Sequence, residues 1–263
     1  MEKLVRPSIA AVCCVYDDTD WLVPTVRSVY AAVDAYLFFV NQRPWAGNPT
    51  DNSSTIRALE ELPDPDKKIR IIRQDWANEV DQRNFSVAYS QHLGFNYSMV
   101  VDADEVYHTD QLPRILHLVA QNPQIDCWHM RWFTYWKSPE YRIDPVEPYD
   151  PPVFIKHGTG GYVETRNFLA NSHELVPPEL GMCHHLSYAR TDAQVHRKLA
   201  MFSHSHQIIP GWFETVWKAW DKNPMLENLH PVKPEYYKRA IRQDPALLPK
   251  AIEGFMLGGS SRC

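Results

Sequence analysis

The chain has 263 residues, of which 44% are hydrophobic and 22% charged, with a formal net charge of −5. That composition excludes a disordered chain, and the acidic balance argues against gripping nucleic acid by bulk electrostatics. The length admits one large domain with a full core or two small ones.

The chain opens on "MEKLVRPSIAAVCCVYDD", a short apolar stretch that soon meets acids. It lacks the long apolar segment and small-residue cleavage site of a signal peptide. No later apolar run approaches the roughly 20 residues that span a bilayer, so no transmembrane segment is expected. The five cysteines, Cys13, Cys14, Cys127, Cys183 and Cys263, are odd in number and contain no CxxC pair. Neither a disulfide framework nor a zinc ribbon is indicated, and a cytoplasmic protein is expected.

Residues 8–16, "SIAAVCCVY", read as a strand covered on both faces. A helix follows, capped by Thr19 or Asp20, with Pro24 in its first turn. Residues 35–41 read as a second buried strand, and residues 67–74 as a third, after a short helix around residues 56–62. In "NEVDQRNFSVAYSQHL" a helical face is predicted from Phe85, Ala88, Tyr89 and His92. "YSMVVDADEVY" supplies a fourth strand, and Leu112, Ile115, Leu116 and Val119 mark the next helix face. Strand–helix repetition of this kind implies an α/β fold with a mostly parallel sheet between helices.

The pattern breaks after about Asn122. "DCWHMRWFTYWK" reads as extended, "SPEYRIDPVEPYDPP" as a Pro-rich loop and "GTGG" as a turn. "TDAQVHRKLAMFS" opens with a capping box, Thr191 to Gln194, and begins a helix. "WFETVWKAW" and "PEYYKRAI" read as short helices, and "LGGSSRC" as a frayed tail. The expected organisation is an α/β core over residues 1–190, with a helical C-terminal extension, 191–263, packed on the same domain.

Ligands of open parallel sheets bind beyond the carboxyl ends of the strands. Asp102 and Asp104 sit at such an end. Two carboxylates separated by one residue can jointly hold a hard divalent cation, Mn²⁺ or Mg²⁺, which in turn contacts substrate phosphates. The same acids could equally cap the following helix or face solvent.

"SIAAVCCVYDDTDWLVPTVRSV", "VDQRNFSVAYSQHLGFNYSMVVDADE", "SHELV" and "HHLSYART" occur in that order. Together they resemble family 2 glycosyltransferases of the GT-A fold, closest in motif to small bacterial members that glucosylate lipopolysaccharide cores. The resemblance covers about residues 8–190. It implies a Rossmann-like, mostly parallel central sheet flanked by helices, and a nucleotide-diphospho-sugar donor, with UDP-sugars favoured. Asp102 and Asp104 match the DxD motif, in which the last Asp ligates metal and the first touches metal or ribose. Tyr16, Asp17 and Asp18 fall where the family binds base and ribose, although many members carry an Asn-Glu pair in that loop. Arg83 and Asn84 match the donor-side RN. "HHLSY" resembles a segment whose histidine completes the metal site, which puts His185 in register ahead of His184; His204 and His206 are weaker candidates.

In "SHELV", Glu174 matches the segment in which family 2 enzymes place a catalytic carboxylate. An inverting transfer needs one base to take the acceptor hydroxyl's proton. Trp128, Trp132 and Trp136 recur every four residues; core packing is one reading, and an acceptor-stacking surface at Trp132 and Trp136 is the other. The loop over residues 138–152 could close over both substrates. Two further readings compete with glycosyl transfer: nucleotidyl transfer, which also uses two acids and a metal, and a catalytically inactive nucleotide-sugar-binding module.

Overall fold

Every residue of β1 (Ile9–Val15) is buried, and period-2 alternation sends its side chains into two separate cores. The computed structural model describes residues 6–47 and 49–256. After β1 come α1 (Leu22–Val29), β2 (Ala35–Asn41), α2 (Ser53–Glu60), β3 (Ile69–Gln74), α3 (Glu79–His92) and β4 (Tyr97–Val100). Then follow β5 (Glu105–Val106), α4 (Leu112–Gln121), β6 (Cys127–His129), β7 (Trp132–Trp136), β8 (Ser138–Asp144) and β9 (Pro152–Lys156). The remainder is β10 (Gly160–Glu164), β11 (Asn167–Ala170), β12 (His173–Leu175), β13 (Cys183–Tyr188), α5 (Asp192–Met201), β14 (Arg239–Arg242) and α6 (Lys250–Met256).

The central sheet has the order β12-β6-β9-β4-β1-β2-β3. Strands β3, β2, β1 and β4 are mutually parallel, β9 runs against its neighbours, and β6 and β12 pair parallel again. The expected mostly parallel sheet is therefore present. Ile9, Ala11 and Cys13 face Leu22, Val26 and Val29 of α1 and Leu112, Leu116 and Val119 of α4. Ala10, Val12 and Cys14 face Phe39, Trp76 and Val87. A second sheet, β14-β8-β7-β13-β5, stands beside the first, and a β10–β11 hairpin completes the strands.

Several local expectations need correction. Helix α1 begins after Trp21 with no side-chain cap, so neither Thr19 nor Asp20 caps it; Pro24 does fall in its first turn. Helix α3 turns inward not Ala88 and His92, which are exposed, but Glu79, Gln82, Arg83, Ser86, Val87 and Ser90. Apolar periodicity misplaces that face because five of the six inward residues are polar or charged, with Arg83 bonded to Glu79 and Gln82 to the Phe39 carbonyl. Residues 138–144 of the expected Pro-rich loop form β8, paired on both sides by β7 and β14, so only the remainder of that stretch is loop. "PEYYKRAI" holds a single 3₁₀ turn followed by β14, so the C-terminal extension is not purely helical. The "LGGSSRC" tail lies outside the described residues. The capping box at Thr191–Gln194 is formed as expected.

Trp136 is fully buried among Trp212, Trp217 and Tyr188, which removes it from any acceptor surface. No helix among the described residues is long and apolar enough to cross a membrane. The aromatic cluster makes a direct test. Trp136→Ala should destabilise the protein by about 3–5 kcal/mol, the usual cost of emptying a buried aromatic site, read as a lower urea midpoint at unchanged slope.

Candidate functional site

Strand β1 has β2 on one side and β4 on the other, so the chain reverses its direction of sheet growth there. A cleft opens past the carboxyl ends of β1 and β4, where such a reversal leaves room for a ligand. Tyr16, Asp17 and Asp18 line it from the β1 end, and Asp102, Ala103 and Asp104 from the β4 end. His185 and Arg190 follow from β13, Gln194, Arg197 and Lys198 from α5, and Trp45 from the loop after β2.

The acidic stretch is locked by buried arginines. Arg190 spans three acids: a two-pronged pair with Asp18 at 2.9 and 3.0 Å, a bond to Asp104 at 2.9 Å and one to Asp20. Arg83 donates to Glu79 at 2.7 Å and to Asp102 at 3.2 Å. Arg166 donates to Asp102 at 2.9 Å and to Glu105. Lys198 reaches Asp104 at 2.8 Å, and Arg197 reaches Asp20 at 3.1 Å.

These partners set the protonation states. Burial would raise the Asp104 carboxyl, but Lys198, with His185 and Arg190, holds it far below the usual carboxylate range. Burial pushes in the same direction at Asp102, where Arg166 and Arg83 outweigh it. Asp18 is raised by burial despite its Arg190 fork. Glu105, wholly buried, is lifted to about 7 by desolvation, with Arg166 only partly offsetting it. Burial lowers His185 to about 4, which leaves a neutral imidazole, the form that binds metals.

Strand β13 decides between the two adjacent histidines, because their side chains alternate. His184 turns into the core, shares a 2.7 Å hydrogen bond between its Nδ1 and the Tyr135 hydroxyl and packs on His108, a structural position. His185 turns to the cleft, with Nε2 3.7 Å from Asp104 Oδ1. Its Nδ1 is buried and has no partner. Trp132 packs on the His185 ring with centroids 4.1 Å apart and does not line the cleft. Trp132 is thus the wall that orients His185 rather than an acceptor platform.

As a test of metal fit, Asp104 Oδ1 and His185 Nε2 form a carboxylate–imidazole pair that suits Mn²⁺ by donor chemistry. Asp102 does not fit in the same way, since both of its oxygens are taken by Arg83 and Arg166. Among the described residues Asp102, Asp104 and His185 do not form a group with all ligand atoms within 4.8 Å of one another, so Asp104 and His185 are the pair set closest to sharing an ion. Of the remaining expected residues, Asn84 is not at the cleft. Its amide is spent on the backbone of Tyr162, donating to the carbonyl at 2.9 Å and accepting the N–H at 2.7 Å. Arg83 is buried behind Asp102, which it holds, and does not line the cleft. Glu174 is exposed on β12, with β6 and β9 between its strand and β4, and it is not among the cleft residues.

Asp17 adopts a φ of 44°, a left-handed conformation that Asp tolerates better than most residues, and its N–H donates to Asn52 at 2.8 Å. This turns the chain sharply at the strand end and aims Asp17 and Asp18 into the cleft. Sequence reading missed Arg166, Arg190, Arg197 and Lys198. Arg190 sits between "HHLSY" and the capping Thr191, a position that could have flagged it; Arg166, in the turn of the β10–β11 hairpin, has no such signal.

A family model described as glycosyl transferase family 2 matches residues 12–193. No curated protein matches the chain. Among solved structures, one similar chain is a mannosyltransferase, PcManGT from Pyrobaculum calidifontis, in complex with GDP-Man and Mn²⁺, at 12% identity and a TM-score of 0.49. The match covers 75% of this chain and 62% of that one, so this chain spans less than two thirds of the mannosyltransferase's length. A mycobacterial protein is similar at 14% identity over 49% of this chain and 41% of that one, with a TM-score of 0.36.

The reassignment of Asn84 is open to measurement. Asn84→Ala strands a backbone N–H and a carbonyl of β10. Stability should fall by about 1–3 kcal/mol, while nucleotide affinity in calorimetry stays within about twofold, the size of change that an effect below 0.5 kcal/mol allows.

Proposed function

The chain belongs to glycosyl transferase family 2, and from that premise we propose that it moves a sugar from a nucleotide-diphospho-sugar to an acceptor hydroxyl by a single inverting displacement. The observation that carries the reading is the Asp104–His185 pair at 3.7 Å, set at the strand ends beside the cations of α5. Lys198 and Arg197 face the cleft from consecutive positions and offer positive charge to a diphosphate. Arg190 is the anchor that keeps Asp18 and Asp104 in place while that charge is used.

Asp104 and His185 are the proposed holders of a divalent cation, Mn²⁺ or Mg²⁺, with Asp102 positioned behind them by its two arginines. Such a cation, when bound, neutralises the charge of the diphosphate leaving group. Asp17 and Asp18 are proposed to meet the nucleoside, with Tyr16 fixed beside them through Thr50 at 2.9 Å. Glu174 is proposed as the base that receives the acceptor's proton. The support for this role is the motif likeness of "SHELV", together with the absence of an ion pair at Glu174 among the described residues; its strand β12 stands two strands away from β4. The motif likeness to lipopolysaccharide-core members makes a UDP-hexose and a glycan hydroxyl the first substrates to try.

With Mn²⁺ and a panel of UDP- and GDP-sugars, the protein should release nucleoside diphosphate. Pyrophosphate would instead mean nucleotidyl transfer, and binding without turnover an inactive module. Asp104→Ala should abolish metal-dependent donor binding. His185→Ala should weaken it, whereas His184→Phe should act on stability alone. Glu174→Gln should lower turnover by roughly 10²–10⁴-fold, the range for loss of a general base, at nearly unchanged donor affinity. A product that keeps the donor's anomeric configuration would exclude the single displacement.

A further inference from the structure

Away from the cleft, parallel pairing of β12 with β6 sets His173 beside Cys127. His129 lies two residues beyond Cys127 on the same face of β6. These three are the one group of candidate soft metal donors among the described residues, with their ligand atoms all within 4.8 Å of one another. Cys127 Sγ is 3.6 Å from His129 Nε2, which is 2.9 Å from His173 Nδ1.

The hydrogen bonds around the group prepare its nitrogens. His129 Nδ1 donates to the Asp150 carbonyl at 2.7 Å, so its proton is on Nδ1 and its Nε2 lone pair points at the other two residues. That is the outer support usual for a metal-binding histidine. His173 Nε2 meets both the carbonyl of Ala170 at 3.2 Å and its N–H at 3.3 Å. The ring can therefore carry its proton on either nitrogen, and freeing Nδ1 costs no bond at Nε2. In the metal-free protein that Nδ1 proton bridges to His129.

We propose that Cys127, His129 and His173 bind a borderline-soft transition metal, Zn²⁺, as a clamp between β6 and the edge strand β12. Sulfur with two imidazoles is the donor set that zinc favours over the oxygen-seeking Mg²⁺ or Ca²⁺. Tetrahedral zinc would put its nitrogens about 3.3 Å apart and sulfur and nitrogen about 3.5 Å apart. The Cys127–His129 spacing of 3.6 Å already fits, Cys127 Sγ and His173 Nδ1 lie within 4.8 Å, and the imidazoles need to part by about 0.4 Å, given those bond lengths. On binding, the thiol proton leaves to solvent as the zinc–sulfur bond forms, and the proton between the imidazoles settles on His173 Nε2. Cys127 is buried, His129 half-buried and His173 exposed, so the fourth position opens outward to water. The clamp would fix a three-residue edge strand next to Glu174 and, through Asp150, the loop that precedes β9. It is separate from the Asp104–His185 pair in position and in donor type.

The test uses the full-length protein, stripped with chelator and titrated with Co²⁺ as the coloured substitute for Zn²⁺. One equivalent should produce tetrahedral ligand-field bands and a thiolate-to-cobalt charge-transfer band, both displaced by Zn²⁺, and Zn²⁺ should raise the thermal midpoint. Cys127→Ser should remove the charge-transfer band. His173→Ala, at an exposed position that should not disturb folding, should weaken binding by at least roughly 10-fold, a loss that even outer-shell partners cause. Asp104→Ala should leave the signal unchanged. Absence of a thiolate band, or a cobalt signal lost in Asp104→Ala but kept in Cys127→Ser and His173→Ala, would overturn the proposal.

Discussion

Arg190 is the constraint on which the cleft depends. Its side chain is 2% exposed and meets Asp18, Asp20 and Asp104, which arrive from two different strand ends. Arg190 is the one cation among the described residues that bridges all three carboxylates; without it Asp18 would lose its ion pair, and Asp104 and Asp20 would be left to Lys198 and Arg197 alone. The flat guanidinium, with its fork of donors, can serve all three, and a lysine could not. Arg83 and Arg166 repeat the arrangement one layer deeper, at Asp102, Glu79 and Glu105. The acids at the strand end are thus half of an ionic lattice rather than a bare negative patch.

The same lattice explains why α3 is built as it is. A helix covering a parallel sheet normally turns an apolar stripe inward. Here the inward stripe carries Glu79 and Arg83 one turn apart, and Gln82, which donates to the Phe39 carbonyl at 2.7 Å. These groups bring charge and hydrogen bonds to the underside of Asp102. Apolar contacts come from Val87 and, on the flank, from Phe85 and Tyr89 against Phe39. Packing on this side is subordinate to positioning the acids.

That division tracks what could be read from the sequence. β1 and β2 were legible because strands buried on both faces are written as unbroken apolar runs, and α5 because its cap is local chemistry. The placement of Asp102 and Asp104 at a strand end was also legible, from the apolar run before them; that His185 faces the cleft and His184 the core follows from strand alternation. The inward face of α3 was not legible, since a face carrying Glu79, Gln82, Arg83, Ser86 and Ser90 leaves no apolar period. Nor was β8, whose proline and charges suit a strand only because β7 and β14 flank it. Trp132 and Trp136 share one sequence spacing, yet one backs His185 and the other is core. A bulge in the register between β13 and β7, after His185, separates their environments, and spacing cannot express that. Arg166 reaches Asp102 across 64 positions of chain, a distance at which no local pattern operates.

The family match ends at residue 193, yet the cleft does not. Gln194, Arg197, Lys198, Met201 and Phe202 close it from α5, just past that boundary. Trp217, from farther along, donates to Asp192 at 2.8 Å and packs near Trp136, so the later segment holds the start of α5 in place. β14 then bonds to β8, tying the same segment to the second sheet. A cation on α5 can serve the strand-end acids only if the helix is fixed to within a few tenths of an ångström, and these contacts fix it. The strand ends supply the acids, and the segment after the family match supplies the cations Arg197 and Lys198 that pair with Asp20 and Asp104. The shape and charge of the cleft therefore depend on α5 and the residues that brace it, and not on the acidic stretch alone.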